Sequence, residues 1–349
     1  MLKKFYSFIL VLIAFSSLIY LLSFCDFNFN YFANFFNFKD KTNINSPTTL
    51  SSLQHFKPSP TPTMKNFSLI VGGDLMFDRH IRSHAEKKGN YDFVYEPNLS
   101  NLLQSVDYVL ANLEGPITLE QSVSQYSTPG GPGNYTFTFS PEIIPVLQKN
   151  NLTLLNLGNN HILNFGQKGL LSTRQYLTAA GLNYFGDVGL TDNQQRFYLL
   201  ELFGQKIAFL SYNQFVEGAK NSTLTDITSA KNQQANLILL FCHWGNEYVP
   251  EANSVIVNLA HEFIDAGVDL IVGGHPHVIQ NNEIYQGKSI YYSLGNFVFD
   301  QYFSAAVQEG LLLKIDFTYD ISAMTWSYLI KEHRVQMNQN GVTSLLIAQ

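Results

Sequence analysis

Asp269-Leu270-Ile271-Val272-Gly273-Gly274-His275-Pro276-His277-Val278-Ile279-Gln280 is the stretch from which the rest of the chain can be read. It opens on a short apolar run of the kind that forms a buried strand. Gly273 and Gly274 end the run, where the backbone can turn without a Cβ penalty. Two imidazoles follow, one residue apart, and Pro276 between them keeps His275 out of helical geometry. In an extended segment alternate side chains point the same way. His275 and His277 are therefore expected to aim at one point just beyond a strand end, where α/β folds place their chemistry. Taken alone, the stretch also reads as two surface histidines in a turn, and the remaining chain decides between these.

Five further apolar runs end in the same manner. Residues 67–71 lead to Gly72-Gly73-Asp74, and 106–113 to Glu114. Residues 152–157 lead to Gly158-Asn159-Asn160-His161, 237–242 to His243-Trp244-Gly245, and 289–294 to Gly295-Asn296. Helical patterns lie between them over 141–149, 167–180 and 253–266, the last closed by Gly267. Residues 197–202 and 206–212 flank Phe203-Gly204-Gln205 as a hairpin, and 311–317 and 324–335 read as strands. Strands alternating with helices specify an α/β domain with a buried sheet.

Asp74, Glu114, Asn160, His161, His243, His275 and His277 thus all fall at the C-terminal ends of expected strands. Each has a plain reading as a turn former or solvated loop residue, but their shared placement favours convergence on one edge. Oxygen and imidazole donors without thiolates suit Mn, Fe or Zn as one or two divalent ions. A carboxylate can bridge two such ions, which then activate a hydrolytic water. Cys242 reads as a buried thiol facing away from His243. His55, His80, His84, His261 and His333 have no such neighbours.

The 349 residues suffice for one large domain or two small ones. Charged residues make up 14% and net charge is −6, which leaves no basic face for nucleic acid. Cys25 and Cys242 lie in unlike contexts and are not expected to pair. Lys3 and Lys4 precede an uncharged run of mostly apolar residues, 5–25, long enough to cross a bilayer as a helix. Phe24 stands where a cleavage site would need a small residue, so an uncleaved anchor is expected over 1–25 rather than a lipoprotein signal on Cys25. Residues 26–66, rich in Asn, Ser, Thr and Pro, read as a stalk. The folded domain is then 67–349.

The chain resembles the CapA family of bacterial capsule synthesis proteins, also called the poly-γ-glutamate capsule or PGA_cap family, which is similar to calcineurin-like metallophosphoesterases. The resemblance is carried by Gly73-Asp74-Leu75-Met76-Phe77-Asp78-Arg79, Ala111-Asn112-Leu113-Glu114-Gly115-Pro116-Ile117-Thr118 and Asn156-Leu157-Gly158-Asn159-Asn160-His161. It continues through His243-Trp244-Gly245-Asn246-Glu247, Gly274-His275-Pro276-His277 and Ser293-Leu294-Gly295-Asn296-Phe297. It implies a sandwich of two β-sheets flanked by helices. It implies that Asp74 and His277 hold one metal, that Asn160, His243 and His275 hold the other, and that Glu114 bridges them. His161 would be the general acid or transition-state stabiliser, and Arg79, Asn112, Glu247 and Asn296 the substrate contacts. Met76 stands where metallophosphoesterases place a histidine ligand, and Asn164 where the family block usually continues to Asp. The implied partners are the membrane, capsule synthesis or export machinery, and an anionic polymer or small-molecule substrate. The implied activity is a metal-dependent hydrolase. Its alternatives are a polymer-binding subunit without catalysis and a phosphoesterase of another substrate.

Lys3 and Lys4 should stay in the cytoplasm and place everything after residue 25 outside. Protease added to intact cells should therefore digest the domain, and a fully protected domain would reverse this topology.

Overall fold

The computed structural model describes residues 64–186 and 196–346. The expected anchor and the stalk up to residue 63 lie outside the described residues. Among those described, no helix is long and apolar enough to cross a membrane. Contacts divide the chain into units 1–59 and 60–349, and every described residue lies in the second.

In chain order the elements are β1 (Met64–Leu75), α1 (Arg79–Lys88), α2 (Pro97–Gln104), β2 (Tyr108–Leu113), α3 (Ile144–Lys149), β3 (Leu154–Asn156), α4 (Gly166–Ala179) and β4 (Asn183–Phe185). Next come β5 (Tyr198–Leu202), β6 (Gln205–Asn213), α5 (Ala219–Asn232), β7 (Ala235–His243), α6 (Ser254–Ala266) and β8 (Leu270–Gly274). The described chain ends with β9 (Asn282–Tyr285), β10 (Lys288–Tyr291), β11 (Asn296–Val298), α7 (Ala305–Gln308), β12 (Glu309–Asp320), β13 (Thr325–Met337) and β14 (Thr343–Leu345). One sheet runs β14-β13-β12-β1-β2-β3-β4, with β11 also paired to β1, and the other runs β5-β6-β7-β8-β10-β9. In each, the central strands that carry the motifs are parallel.

Alternation along these strands builds four layers. Leu237, Leu239 and Phe241 of β7 join Phe67, Leu69 and Val71 of β1 in an apolar core between the sheets. Ile238, Leu240 and Cys242 point the other way, onto Ile256, Ala260 and Phe263 of α6 and Ile227 of α5. On the outer face of the first sheet, Ile70, Val109 and Leu155 pack on Ile81, Leu99, Val146 and Leu170 of α1 to α4. The two-sheet α/β arrangement flanked by helices agrees with the sequence reading.

Two features differ from that reading. The strand expected over 289–294 ends at Tyr291, and the chain crosses to the first sheet, where β11 pairs with β1 through Asp74 and Asn296. Gly295 makes the crossing, with φ +69°. Helices α1 and α5 also carry weak patterns: α1 buries only Ile81 and Ala85, and α5 is rich in Ser, Thr and Asn. Asp78 starts α1 by accepting the Arg79 N–H, a local signal that periodicity does not register.

The crossing brings backbone against backbone. A Cβ on Gly73 would overlap the Gly295 carbonyl oxygen, which itself accepts the Asp74 N–H at 3.2 Å. Gly73→Ala should therefore cost roughly 1–3 kcal/mol by overpacking. The thermal midpoint would register it, and an unchanged midpoint would mean that this contact is loose.

Candidate metal centre

The apolar core between the sheets gives way to polar side chains at one end, and alternation explains why. On β2, Leu110 faces the second sheet while Val109 and Ala111 face the helices. Asn112 and then Glu114 continue the inward series. On β3, Leu154 faces inward and Asn156 follows it. On β7, Phe241 faces inward and His243 follows. β1 needs a correction of phase, because Val71 faces inward and strict alternation would turn Asp74 out. An irregularity between Val71 and Asp74 shifts the register, so that Leu75 joins the helix-side core and Asp74 faces the second sheet. There its Oδ1 would lie 2.7 Å from a Cβ on Gly274, so only glycine leaves room.

His275 and His277 also converge, but not through an extended segment. Both have positive φ, +94° and +57°, which non-glycine residues adopt at a cost. Their ring centroids are 5.9 Å apart, and the His275 ring lies 4.9 Å from that of His243. Tyr248 and Arg79, both near the centre, share this backbone state at +64° and +51°.

Glu114 occupies the middle and has no exposed surface. Its Oε1 lies 3.9 Å from His161 Nε2, 4.0 Å from His243 Nε2 and 3.8 Å from His277 Nε2. Donor atoms of Asp74, Glu114 and His243 lie within 4.8 Å of one another, as do those of Glu114, His275 and His277. His277 Nδ1 is 3.4 Å from Asp74 Oδ2, and His243 Nε2 is 2.8 Å from Asn160 Oδ1. Glu114 Oε1 and His275 Nδ1 are buried without a hydrogen-bond partner. A desolvated carboxylate oxygen and imidazole nitrogen left bare in this way are costly, and a divalent cation would satisfy both. The donor set therefore fits a metal.

Burial, followed by the Asp74 charge, pushes Glu114 well above the usual carboxylate range. Burial also tends to raise Asp74, but hydrogen bonds from the His277 ring and from the His275 N–H, the latter at 3.0 Å, help to outweigh it and hold this carboxyl low. Burial pushes His161 and His275 down to about 4 from an ordinary 6.5, and His243 well below. The imidazoles are thus neutral at pH 7, the state that ligation requires.

A layer of amides stands behind the donors. Asn112 Nδ2 donates to Asp74 Oδ1 at 2.8 Å, and Asn112 Oδ1 accepts from Asn156 and Asn159 at 2.9 and 3.0 Å. Asn296 Nδ2 donates to the Val307 carbonyl at 2.9 Å, leaving Oδ1 to accept from His277 Nδ1 at 3.0 Å. That hydrogen bond places the proton on Nδ1 and turns the Nε2 lone pair towards Glu114. Asn112 and Asn296 were expected to touch substrate. With no exposed surface, both instead hold other side chains in place. Glu247 is exposed near the opening, and the ring of its neighbour Tyr248 lies 6.1 Å from that of His277. Phe137 escaped the sequence reading, and Asn156 and Phe299 received no role in it. Asn156 lies in a matched block, whereas Phe137 follows a Gly/Pro-rich loop with no periodic signal.

Met76 turns away from the centre. Its Sδ accepts the Asp78 N–H at 3.1 Å within the helix-side core. Asn164 Oδ1 accepts the Phe137 N–H at 2.8 Å, which settles the amide's orientation, and faces His161 Nδ1 at 3.1 Å. His161 therefore carries its proton on Nδ1, with Nε2 free as an acceptor on the Glu114 side.

The depressed imidazoles make the metal-free protein acid-sensitive. Between pH 6.5 and about 4 the unfolded chain binds protons at His161, His243 and His275 that the folded chain refuses, so stability is lost as pH is lowered through this window. Glu114, raised in the folded state, opposes one of the three. Metal-free protein should melt lower at pH 5 than at pH 7, and the reverse order would contradict neutral buried imidazoles. Asn296→Ala should weaken metal binding about 10–100-fold by releasing His277, which titration with Mn²⁺ would measure.

Residues 68–301 match the family described as bacterial capsule synthesis protein PGA_cap. The chain is 31% identical over 254 residues to the capsule biosynthesis protein CapA of Bacillus anthracis, covering 68% of this chain and 61% of that one. It is 32% identical over 265 residues to the PGA biosynthesis protein CapA of Bacillus subtilis (strain 168), covering 69% and 67%. The chain thus spans 61% and 67% of the length of these two relatives. Among solved structures, a phosphatase from Mycoplasma pneumoniae is 14% identical, with a TM-score of 0.47 over 77% of this chain and 94% of that one. With most of the described domain matched by the family's pattern, the chain belongs to the bacterial capsule synthesis protein family PGA_cap.

Proposed function

We propose that this chain is a membrane-anchored protein of capsule synthesis or export, with its domain outside the cytoplasm and one or two divalent ions at the centre. We further propose that it acts as a metal-dependent hydrolase or transferase on capsule polymer, with poly-γ-glutamate as the first substrate to try. The observation that carries this reading is the buried, unpartnered Glu114 Oε1, ringed by three imidazole Nε2 atoms at 3.8–4.0 Å. The names of the Bacillus relatives support the capsule role.

Asp74 and His277 would hold one ion, and Asn160, His243 and His275 the other, with Glu114 between them. Mn, Fe and Zn suit this mixture of oxygen and nitrogen donors. When bound, such ions polarise the scissile group and lower the pKa of a bound water. Because Met76 leaves the Asp74 side one donor short, that ion would be held more weakly. His161 enters as a base: Nδ1–H is fixed by Asn164, and Nε2 takes a proton and later returns it to the leaving group. The neutral amide of Asn164 orients the ring without the added basicity that a carboxylate would confer.

Elemental analysis and polymer cleavage by the full-length protein would separate the roles. His243→Ala and His275→Ala should lose metal. His161→Ala should keep metal and lose about 10²–10⁴-fold in rate. Normal capsule formation with His161→Ala, together with its loss in His243→Ala, would replace the enzyme by a metal-dependent polymer-holding subunit.

A further inference from the structure

Arg79 was expected to contact substrate, yet its surroundings assign it elsewhere. It opens α1 in the left-handed backbone state. Its Nη2 pairs with Asp300, a carboxylate whose side chain is only 2% exposed. Asp300 is itself fixed, since its Oδ2 accepts the His80 N–H at 3.1 Å. Arg79 Nη1 donates to Asn134 Oδ1 at 3.3 Å, and that oxygen also accepts the Gly130 N–H. One guanidinium thus ties together the turn after β1, the long loop before α3 and the segment after β11.

The guanidinium also lies over two buried rings. Arg79 Cζ is 5.2 Å from the Phe137 centroid and 5.3 Å from the Phe299 centroid. Each ring in turn lies against an imidazole of the centre: Phe137 is 4.5 Å from His161, and Phe299 is 4.9 Å from His277. We propose that Arg79 is a positioning residue that sets the orientation of His161 through Phe137 and of His277 through Phe299. The charge needed to bind a polyanion is already matched by Asp300. Attraction between a cation and an aromatic face strengthens when both are desolvated, as they are at this depth. A planar guanidinium can cover two rings while its Nη atoms engage Asp300 and Asn134. A lysine ammonium is a single point and cannot do both.

The placement is independent of turnover, although its consequence for activity rests on the proposed metal centre. Hydrogen exchange at the histidine C2 position, followed by mass spectrometry of the full-length protein, reads each imidazole separately. Arg79→Met and Arg79→Lys should each speed exchange several-fold at His161 and His277 and leave His243 and His275 unchanged. Asp300→Asn, which releases Arg79 without removing it, should affect the same pair. Phe137→Leu should move His161 alone, and Phe299→Leu His277 alone. Equal changes at all four histidines, or none, would overturn the inference. So would unchanged exchange in Arg79→Met accompanied by weaker binding of an oligoglutamate probe, which would return Arg79 to substrate contact. If Arg79→Met fails to fold, the two phenylalanine variants still decide the matter by their selectivity.

Discussion

A buried carboxylate oxygen with no hydrogen-bond partner among the described residues is the constraint around which this domain is built. Glu114 sits where two sheets meet, and Oε1 has no hydrogen-bond partner. Such a group is tolerable only if it is protonated or if a cation neutralises it. Three of the surrounding imidazoles, those of His161, His243 and His275, are held neutral by the same burial. Asp74 alone is kept as an anion, by hydrogen bonds and by its imidazole neighbours. The centre therefore joins one carboxylate that resists ionisation to one that is firmly ionised. A cation held there would displace the Glu114 proton on binding.

The rest of the architecture delivers donors to that point. Strand alternation turns Asn112, Asn156 and His243 inward as continuations of apolar rows. A single register irregularity in β1 brings Asp74 into phase with them. Glycines at the strand ends then let backbones and side chains of the two sheets approach closely. The amides behind the donors convert this meeting of strands into fixed orientations, because His161 and His277 each have Nδ1 committed to an amide oxygen and Nε2 left over.

Departures from the metallophosphoesterase pattern take on physical meaning here. Met76 is absorbed into packing and gives its lone pair to a backbone N–H, so it cannot serve as a ligand. Asn164 keeps the geometry of the usual acid but not its charge. His161 is well oriented by this contact, and burial makes it weakly basic.

The sequence by itself determined the alternating α/β order, most strand positions and the identity of the clustered residues. These are legible because burial imposes a period on apolar residues, and glycines mark where each strand stops. It also identified Asn164 and Met76 as departures, though not their contacts. What it left open was which way each side chain faces near a strand end. Asp74 depends on a register shift, His275 and His277 on left-handed backbone, and Asn112 and Asn296 on partners more than 15 residues away in sequence. The crossing of the chain at Gly295 and the bracket of Phe137, Arg79 and Phe299 were hidden for the same reason. Periodicity reports only local burial, whereas these arrangements exist only when distant segments are brought against one another, so the tertiary structure alone decided them.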